Sequence, residues 1–212
     1  MPTLTTILTF IPVVLAMQAI PGADTMLVVS RGLGQGRRVA LWTAIGAVSA
    51  GVVQLPLLAA GVAALIQSSA VAFLVLRYAG ALFLIYLGLR LLFRRTAPDL
   101  APAASDNTSP LRAFSEGAAA NLTNPNVLMF MLAFLPQFVD PASGSAGQQM
   151  LVLGAIQKAT GLLVLGGTAL LAGGLGDWLA RRPRSMIWQR RIAGGALVAL
   201  GVGMALTGHA RR

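Results

Sequence analysis

The sequence predicts an all-α membrane protein: six transmembrane helices forming two inverted three-helix repeats, with the first helix of each repeat broken at mid-membrane. Three observations predict it. The 212 residues are 56% hydrophobic and only 10% charged, with a mean hydropathy of +0.76, far outside the average for soluble domains. Apolar runs of about 20 residues, the length needed to cross about 30 Å of hydrocarbon, recur six times. Two of these runs are interrupted by proline beside Gly, Asp or Asn, at Pro21 and Pro125, 104 residues apart (125 − 21) and so close to half the chain.

The runs follow one another with short separators. The first extends from about Leu4 to Val29 and is interrupted at Pro21-Gly22-Ala23-Asp24. It has no Lys or Arg before Arg31, so it lacks the basic start of a signal peptide and reads as a retained helix. The second covers about Val39 to Ile66 and the third about Val71 to Phe93, completing a first repeat over residues 1–96. Residues 97–112 are polar and proline-containing and read as a cytoplasmic linker. The second repeat, 113–212, holds runs at Phe114–Val139, interrupted from Asn121 to Asn126, at about Ala159–Leu179 and at about Ile192–Thr207. No polar stretch is long enough for another folded unit, so the repeats form a single membrane domain.

Basic residues set the orientation, because Lys and Arg in short loops stay on the cytoplasmic side. Of the 16 such residues, Arg31, Arg37 and Arg38 follow the first run, and Arg90, Arg94, Arg95 and Arg112 surround the linker. Arg181, Arg182, Arg184, Arg190 and Arg191 precede the last run. The loops at Gln67–Ala70 and Asp140–Gly147 have none. Both termini are therefore expected outside. Three spans before the linker reverse the direction of the chain, so the second trio is inverted relative to the first. The net charge of +10 sits in these short clusters and not on one aromatic-bearing basic face, which argues against nucleic-acid binding.

Paired Pro/Gly interruptions at matching positions of two halves point to a transporter's binding site. Pro21 lies ten residues before Arg31 and Pro125 thirteen after Arg112, which puts both breaks roughly 15 to 20 Å from the cytoplasmic flank. Broken helices free backbone groups that are tolerated at this depth only inside protein or along a wet cavity. In Asn124-Pro125-Asn126, Asn124 suits an N-cap and Pro125 a first helical position. In Pro21-Gly22-Ala23-Asp24-Thr25, Asp24 or Thr25 is expected to cap a half-helix ending near Arg31. The two half-helices would start in mid-membrane, run in opposite directions and converge their positive ends. The expected site residues are Pro21, Gly22, Asp24, Thr25, Gln54, Asn121, Thr123, Asn124, Pro125 and Asn126. Asp24, the deepest acid, is the expected functional carboxylate, since acids inside a membrane are costly and usually functional.

These residues also carry a resemblance. PGADTMLVVSRGLGQGRR, then RYAGALFLIYLGLRLL and NLTNPNVLMFMLAFLPQFV, resemble the lysine exporter and homoserine-threonine exporter superfamily (LysE/RhtB), in which such stretches occur in this order. The resemblance is strong from Pro21 to Val139 and continues to the end in hydropathy and glycine content. It implies amino-acid efflux across the inner membrane, driven by the membrane potential or a proton gradient, with the Pro-Gly-x-Asp and Asn-Pro motifs central. Ala23 stands where that family commonly has a second proline. Asn126 stands where a lysine often follows Asn-Pro, which bears on the substrate.

One deep carboxylate and one uncharged half-helix start suit the ammonium and carboxylate of a neutral amino acid of threonine, homoserine or leucine type. Protons are the expected coupling ion: Asp24 would hold the ammonium when ionised and release it when protonated. Met26, Gln54 and Met129 are expected around the side chain. The remaining partners are the lipid bilayer and, left open by the sequence, a second copy in a homodimer. No cofactor is expected. Zero cysteines exclude a thiol nucleophile or zinc-thiolate site, and no His or Met-rich cluster pairs with Asp24 to suggest a metal. Ala47-Val48-Ser49-Ala50-Gly51 only approximates a hydrolase elbow, and the single histidine, His209, lies in the tail. A permease for another small solute or ion, or an exporter of basic amino acids, remains the alternative.

Other polar residues have blander expectations. Arg77 and Lys158 are expected to snorkel to the outer interface from span ends. Glu116 is expected to pair with Arg112, and Asp177 with Arg181, at i,i+4 spacing. Gln54 could face the cavity or join helices, and Gly195, Ala199 and Gly203 form a small-residue packing stripe.

Overall fold

The computed structural model describes residues 1–18, 22–93, 108–181 and 183–207, and among these the regular structure is entirely helical. Pro21, residues 94–107 of the linker region and His209 lie outside the described residues, as does the Asp177–Arg181 side-chain pair.

The chain opens with two helices in place of one. Helices α1 (Leu4–Gln18) and α2 (Ala23–Gln35) are inclined 52° to each other. In the second half, α6 (Pro110–Leu122) and α7 (Pro125–Phe134), the latter continued by a 3-10 turn at Leu135–Phe138, are inclined 55°. The second break follows from local chemistry. Thr123 N–H still reaches the Ala119 carbonyl, at 2.9 Å, and ends α6. Pro125 has no N–H to continue the ladder, but its fixed φ suits a helix start. The Asn124 carbonyl then accepts from Val127 at 3.1 Å and Leu128 at 3.2 Å, opening α7.

Intact helices lie between and after the broken ones. Ala50 keeps a helical conformation between α3 (Arg37–Ser49) and α4 (Gly51–Ser68), so Arg37–Leu65 is one apolar stretch of 29 residues. α5 (Ala70–Phe93) follows Ser69, whose hydroxyl accepts from Ala72 N–H at 3.1 Å as an N-cap. α8 (Ala146–Arg181) and α9 (Pro183–Thr207) complete the chain. Among the described residues three stretches are long and apolar enough to cross a membrane, or five with each bent pair counted as one, and α9 adds a shorter apolar segment, Arg191–Leu206. Large apolar side chains also face outward, Val52, Leu57, Leu82 and Leu206 being 67–77% exposed, as a lipid-facing surface requires. The chain is a multi-pass membrane protein.

Two boundaries differ from the hydropathy reading. Ser109 Oγ accepts from Arg112 N–H at 3.3 Å, so residues 110–112 of the linker form the first turn of α6. The fifth apolar helix begins at Ala146 and not near Ala159. Gln148 and Gln149 mask this start in the sequence, yet Gln149 is 1% exposed. Its amide nitrogen donates to the carbonyls of Asp140 (2.8 Å) and Gly144 (3.3 Å), and its oxygen accepts from Asp140 N–H at 3.1 Å. The side chain seals the preceding loop and does not seek water.

Without a hydrophobic force between helices in lipid, close approach depends on small residues. α3 and α6 cross where Gly46 faces the Phe114 carbonyl and Gly117 faces the Thr43 carbonyl. α5 and α9 meet at Gly88 and Gly194, each lying against the other's carbonyl, and at Gly201 against that of Ala81. The stripe expected at Gly195 and Gly203 is out of phase with this contact, since a Cβ at either would meet nothing within 4 Å. α1 and α7 are joined by aromatic rings: Phe10 lies 5.6 Å from Phe134 and 5.0 Å from Phe138, and Phe130 stacks on Phe134 at 4.9 Å.

Candidate functional site

The two helix breaks open onto one cavity of about 490 Å³. Its wall takes Gly22, Asp24 and Thr25 from the start of α2, Asn121 from the last turn of α6, and Asn124 from the gap before α7. Gly22 is the residue preceding α2, and Asp24 lies inside the first turn. The expectation that Asp24 or Thr25 caps this helix is corrected accordingly: the N-cap is Gly22, which has no side chain to cap with. A carboxylate in the first turn still meets the positive end of the helix.

Asn121 organises the polar atoms. It is 4% exposed, and its amide nitrogen donates to the Asp24 carboxylate at 2.6 Å. Its amide oxygen accepts from the ammonium of Lys158 at 3.3 Å. Lys158 also donates to Gln54 Oε1 at 2.8 Å, and Gln54 Nε2 donates to the Asn121 backbone carbonyl at 3.2 Å. Asn124 adds a second side-chain hydrogen bond to Asp24. Asp24 and Lys158 thus face each other across an amide, on the wall of one cavity, without a direct salt bridge.

Lys158 does not snorkel to an outer interface. Because α8 starts at Ala146, Lys158 is twelve residues in, about 18 Å along the helix, near the middle of the Ala146–Ala172 apolar stretch. A cation there is tolerated because two amide oxygens and a facing carboxylate receive it. The cue in the sequence was its isolation, as the single lysine far from every arginine cluster. Gln54 is 3% exposed and both joins helices and holds the Lys158 ammonium.

Other expected residues are placed differently. Thr123 is exposed and its hydroxyl donates to the Ala119 carbonyl at 2.7 Å, and Pro125 is exposed at the start of α7. Neither lines the cavity. Asn126 belongs to the first turn of α7, but its side chain lies outside the described residues. Met26 lines the cavity, whereas Met129 is 44% exposed and does not line it. Val14, Met17, Val127, Phe130, Met131 and Leu197 make most of the remaining wall apolar.

An ionic cluster ties α2 to α6 beyond the cavity. Arg31, seven residues after Asp24 and so about 10 Å further along α2, pairs with Glu116, which also binds Arg112 at 2.9 Å. The Arg112 pair was expected from its spacing. The Arg31 pair joins residues 85 apart and leaves no local signal.

Known proteins resemble this chain over most of its length. The family described as LysE type translocator matches residues 15–208. An uncharacterized membrane protein of Vibrio cholerae is 32% identical over 182 residues, covering 86% of this chain and 87% of its own. One from Bacillus subtilis is 27% identical over 204 residues, covering 92% and 96%. A leucine efflux protein of Enterobacter sp. is 33% identical over 138 residues, 63% of this chain and 64% of its own. No solved structure matches the chain.

Proposed function

Because the chain belongs to the LysE type translocator family, and is therefore an inner-membrane transporter and not an enzyme, we propose that it exports neutral amino acids from the cytoplasm in exchange for protons. The observation that carries this reading is the cavity itself. It is an apolar chamber between two helix breaks, with one carboxylate, Asp24, held at a helix start. That carboxylate suits an ammonium, and Asn124, which precedes the start of α7, brings a positive helix end to the chamber. Among the described residues no second acid lines the chamber to receive a lysine or arginine side chain. Relatives named leucine efflux proteins agree with a neutral, aliphatic substrate. Asp24, Gly22, Thr25, Asn121, Asn124 and Gln54 are the proposed binding and coupling residues.

The proposed arrangement is six spans in two inverted repeats, α1–α5 and α6–α9. Support comes from which helices pack together. The broken helix of each repeat packs on the second helix of the other, α1 and α2 on α8 and α6 on α3, while α7 packs chiefly on α5. The third helices, α5 and α9, pack on each other. A two-fold exchange of the repeats would carry the contact of α2 on α8 into that of α6 on α3, and the contact of α5 on α9 into itself. Both termini are proposed outside, on the arginine distribution.

Two experiments test these proposals. In cells loaded with single amino acids, leucine, threonine or homoserine should leave faster than lysine and arginine on expression of the protein. Preferential export of lysine or arginine would remove the neutral-substrate reading. For topology, the cysteine-free chain allows single cysteines to be read cleanly. An impermeant maleimide should label Ser69→Cys and Ser143→Cys in intact cells, and Ser105→Cys only after permeabilisation. Labelling of Ser105→Cys from outside would reverse the orientation.

A further inference from the structure

We propose that Lys158 is the residue that recognises the substrate's carboxylate, so that the cavity selects zwitterionic α-amino acids and rejects the matching amines and amides. This rests on the export reading above and adds the determinant of substrate class. Three observations converge on it. The ammonium of Lys158 and the carboxylate of Asp24 lie on one cavity wall, separated by the side-chain amide of Asn121, which bonds both. Opposite charges held apart in this way are complementary to an ammonium and a carboxylate on one carbon, each able to displace an amide contact and meet its own counter-ion. A directly bonded pair would leave neither charge available.

The lysine stem, too, has space made for it. A Cβ at Gly51 would lie 2.8 Å from Cγ and Cε of Lys158, so the absence of a side chain at the start of α4 lets the methylenes lie across that turn and carry the ammonium inward. Finally, among the described residues the Lys158 ammonium is hydrogen-bonded to neutral oxygens, Gln54 Oε1 at 2.8 Å and Asn121 Oδ1 at 3.3 Å, and faces Asp24. A substrate carboxylate is a stronger partner than either amide. Arg90 also reaches the cavity, but it is exposed in the last turn of α5 and marks the rim. With the ends of the zwitterion assigned, the apolar wall around Val127, Phe130 and Leu197 is left for an aliphatic side chain.

The test is equilibrium binding of radiolabelled leucine to the purified full-length protein in lipid nanodiscs, with unlabelled leucine and leucinamide as competitors. Leucinamide keeps the ammonium and side chain and lacks the carboxylate. The wild type should prefer leucine by at least 10-fold. Lys158→Gln should bind leucine on the order of 100-fold more weakly, as expected for losing one partner of a buried charged pair, and should bind leucinamide within about 3-fold of wild type by direct titration. Lys158→Arg keeps the charge and should keep the preference for leucine, which covers the case in which the glutamine variant does not fold. Equal wild-type affinity for leucine and leucinamide would overturn the proposal, as would wild-type leucine binding by Lys158→Gln. A wild-type protein that exports no amino acid in the loaded-cell assay overturns the export reading itself, a failure distinct from either of these.

Discussion

Asp24→Asn is expected to abolish proton-coupled leucine efflux while leaving the protein folded. Asparagine has nearly the shape of aspartate, and its side-chain oxygen can still accept the hydrogen bond that Asn121 donates at 2.6 Å. Lys158 retains Gln54 and the Asn121 oxygen. The link between α2 and α6 therefore survives, supported further along both helices by Arg31 and Glu116. What disappears is the negative charge that faces the cavity and, with it, the proposed exchange of a proton for an ammonium. Removing one partner of a buried charged contact costs about 2 to 5 kcal/mol, which corresponds to a loss of at least roughly 30-fold. In proteoliposomes loaded with leucine, an imposed proton gradient should drive efflux by the wild type and not by the variant. Thermal unfolding in detergent should stay within a few degrees of wild type. Wild-type rate and gradient dependence in Asp24→Asn would remove Asp24 from the mechanism.

The sequence discloses this site unevenly, and the reasons are physical. The breaks between α1 and α2, before Ala23, and at Asn124-Pro125 fall where the sequence has residues with restricted or permissive backbones, so the order of residues alone points to them. Asp24 and Asn121 follow from those breaks. Lys158 does not, because its depth depends on where α8 begins, and that start is disguised by Gln148 and Gln149. A buried glutamine satisfied by loop carbonyls has the same hydropathy as a solvated one. Gln54 showed itself as a polar residue in an apolar helix, but its choice between cavity and helix contact depended on Lys158 arriving beside it. The Arg31–Glu116 pair and the glycine crossings depend on helix rotation. A run such as Gly194-Gly195 offers two phases, and only the packing of α5 against α9 selects Gly194.

Gly117→Val is expected to weaken the fold and disable the site, through the crossing of α3 and α6. A Cβ at Gly117 would lie 2.2 Å from the Thr43 carbonyl oxygen, and one at Gly46 would lie 2.0 Å from that of Phe114. These neighbours are backbone atoms within helices, so they cannot turn aside as a side chain would. The helices must separate by about 1 Å to restore normal contact, forfeiting dispersion along the crossing. Overpacking of this kind costs typically about 1 to 3 kcal/mol. The cost should be at the upper end here, because apolar association in lipid supplies no compensating hydrophobic force. Asn121 lies one turn beyond Gly117 on α6, and a displacement of about 1 Å would stretch its 2.6 Å contact with Asp24 beyond a good hydrogen bond. Gly117→Val should therefore lower the yield of monodisperse protein and its unfolding temperature, and any folded fraction should show no leucine efflux. Gly195→Val on α9, where a Cβ meets nothing within 4 Å, should change stability by less than about 0.5 kcal/mol and preserve efflux. The comparison separates steric loss at the crossing from a general intolerance of valine for glycine in these helices. Wild-type stability and efflux in Gly117→Val would show that α3 and α6 do not cross at these two glycines.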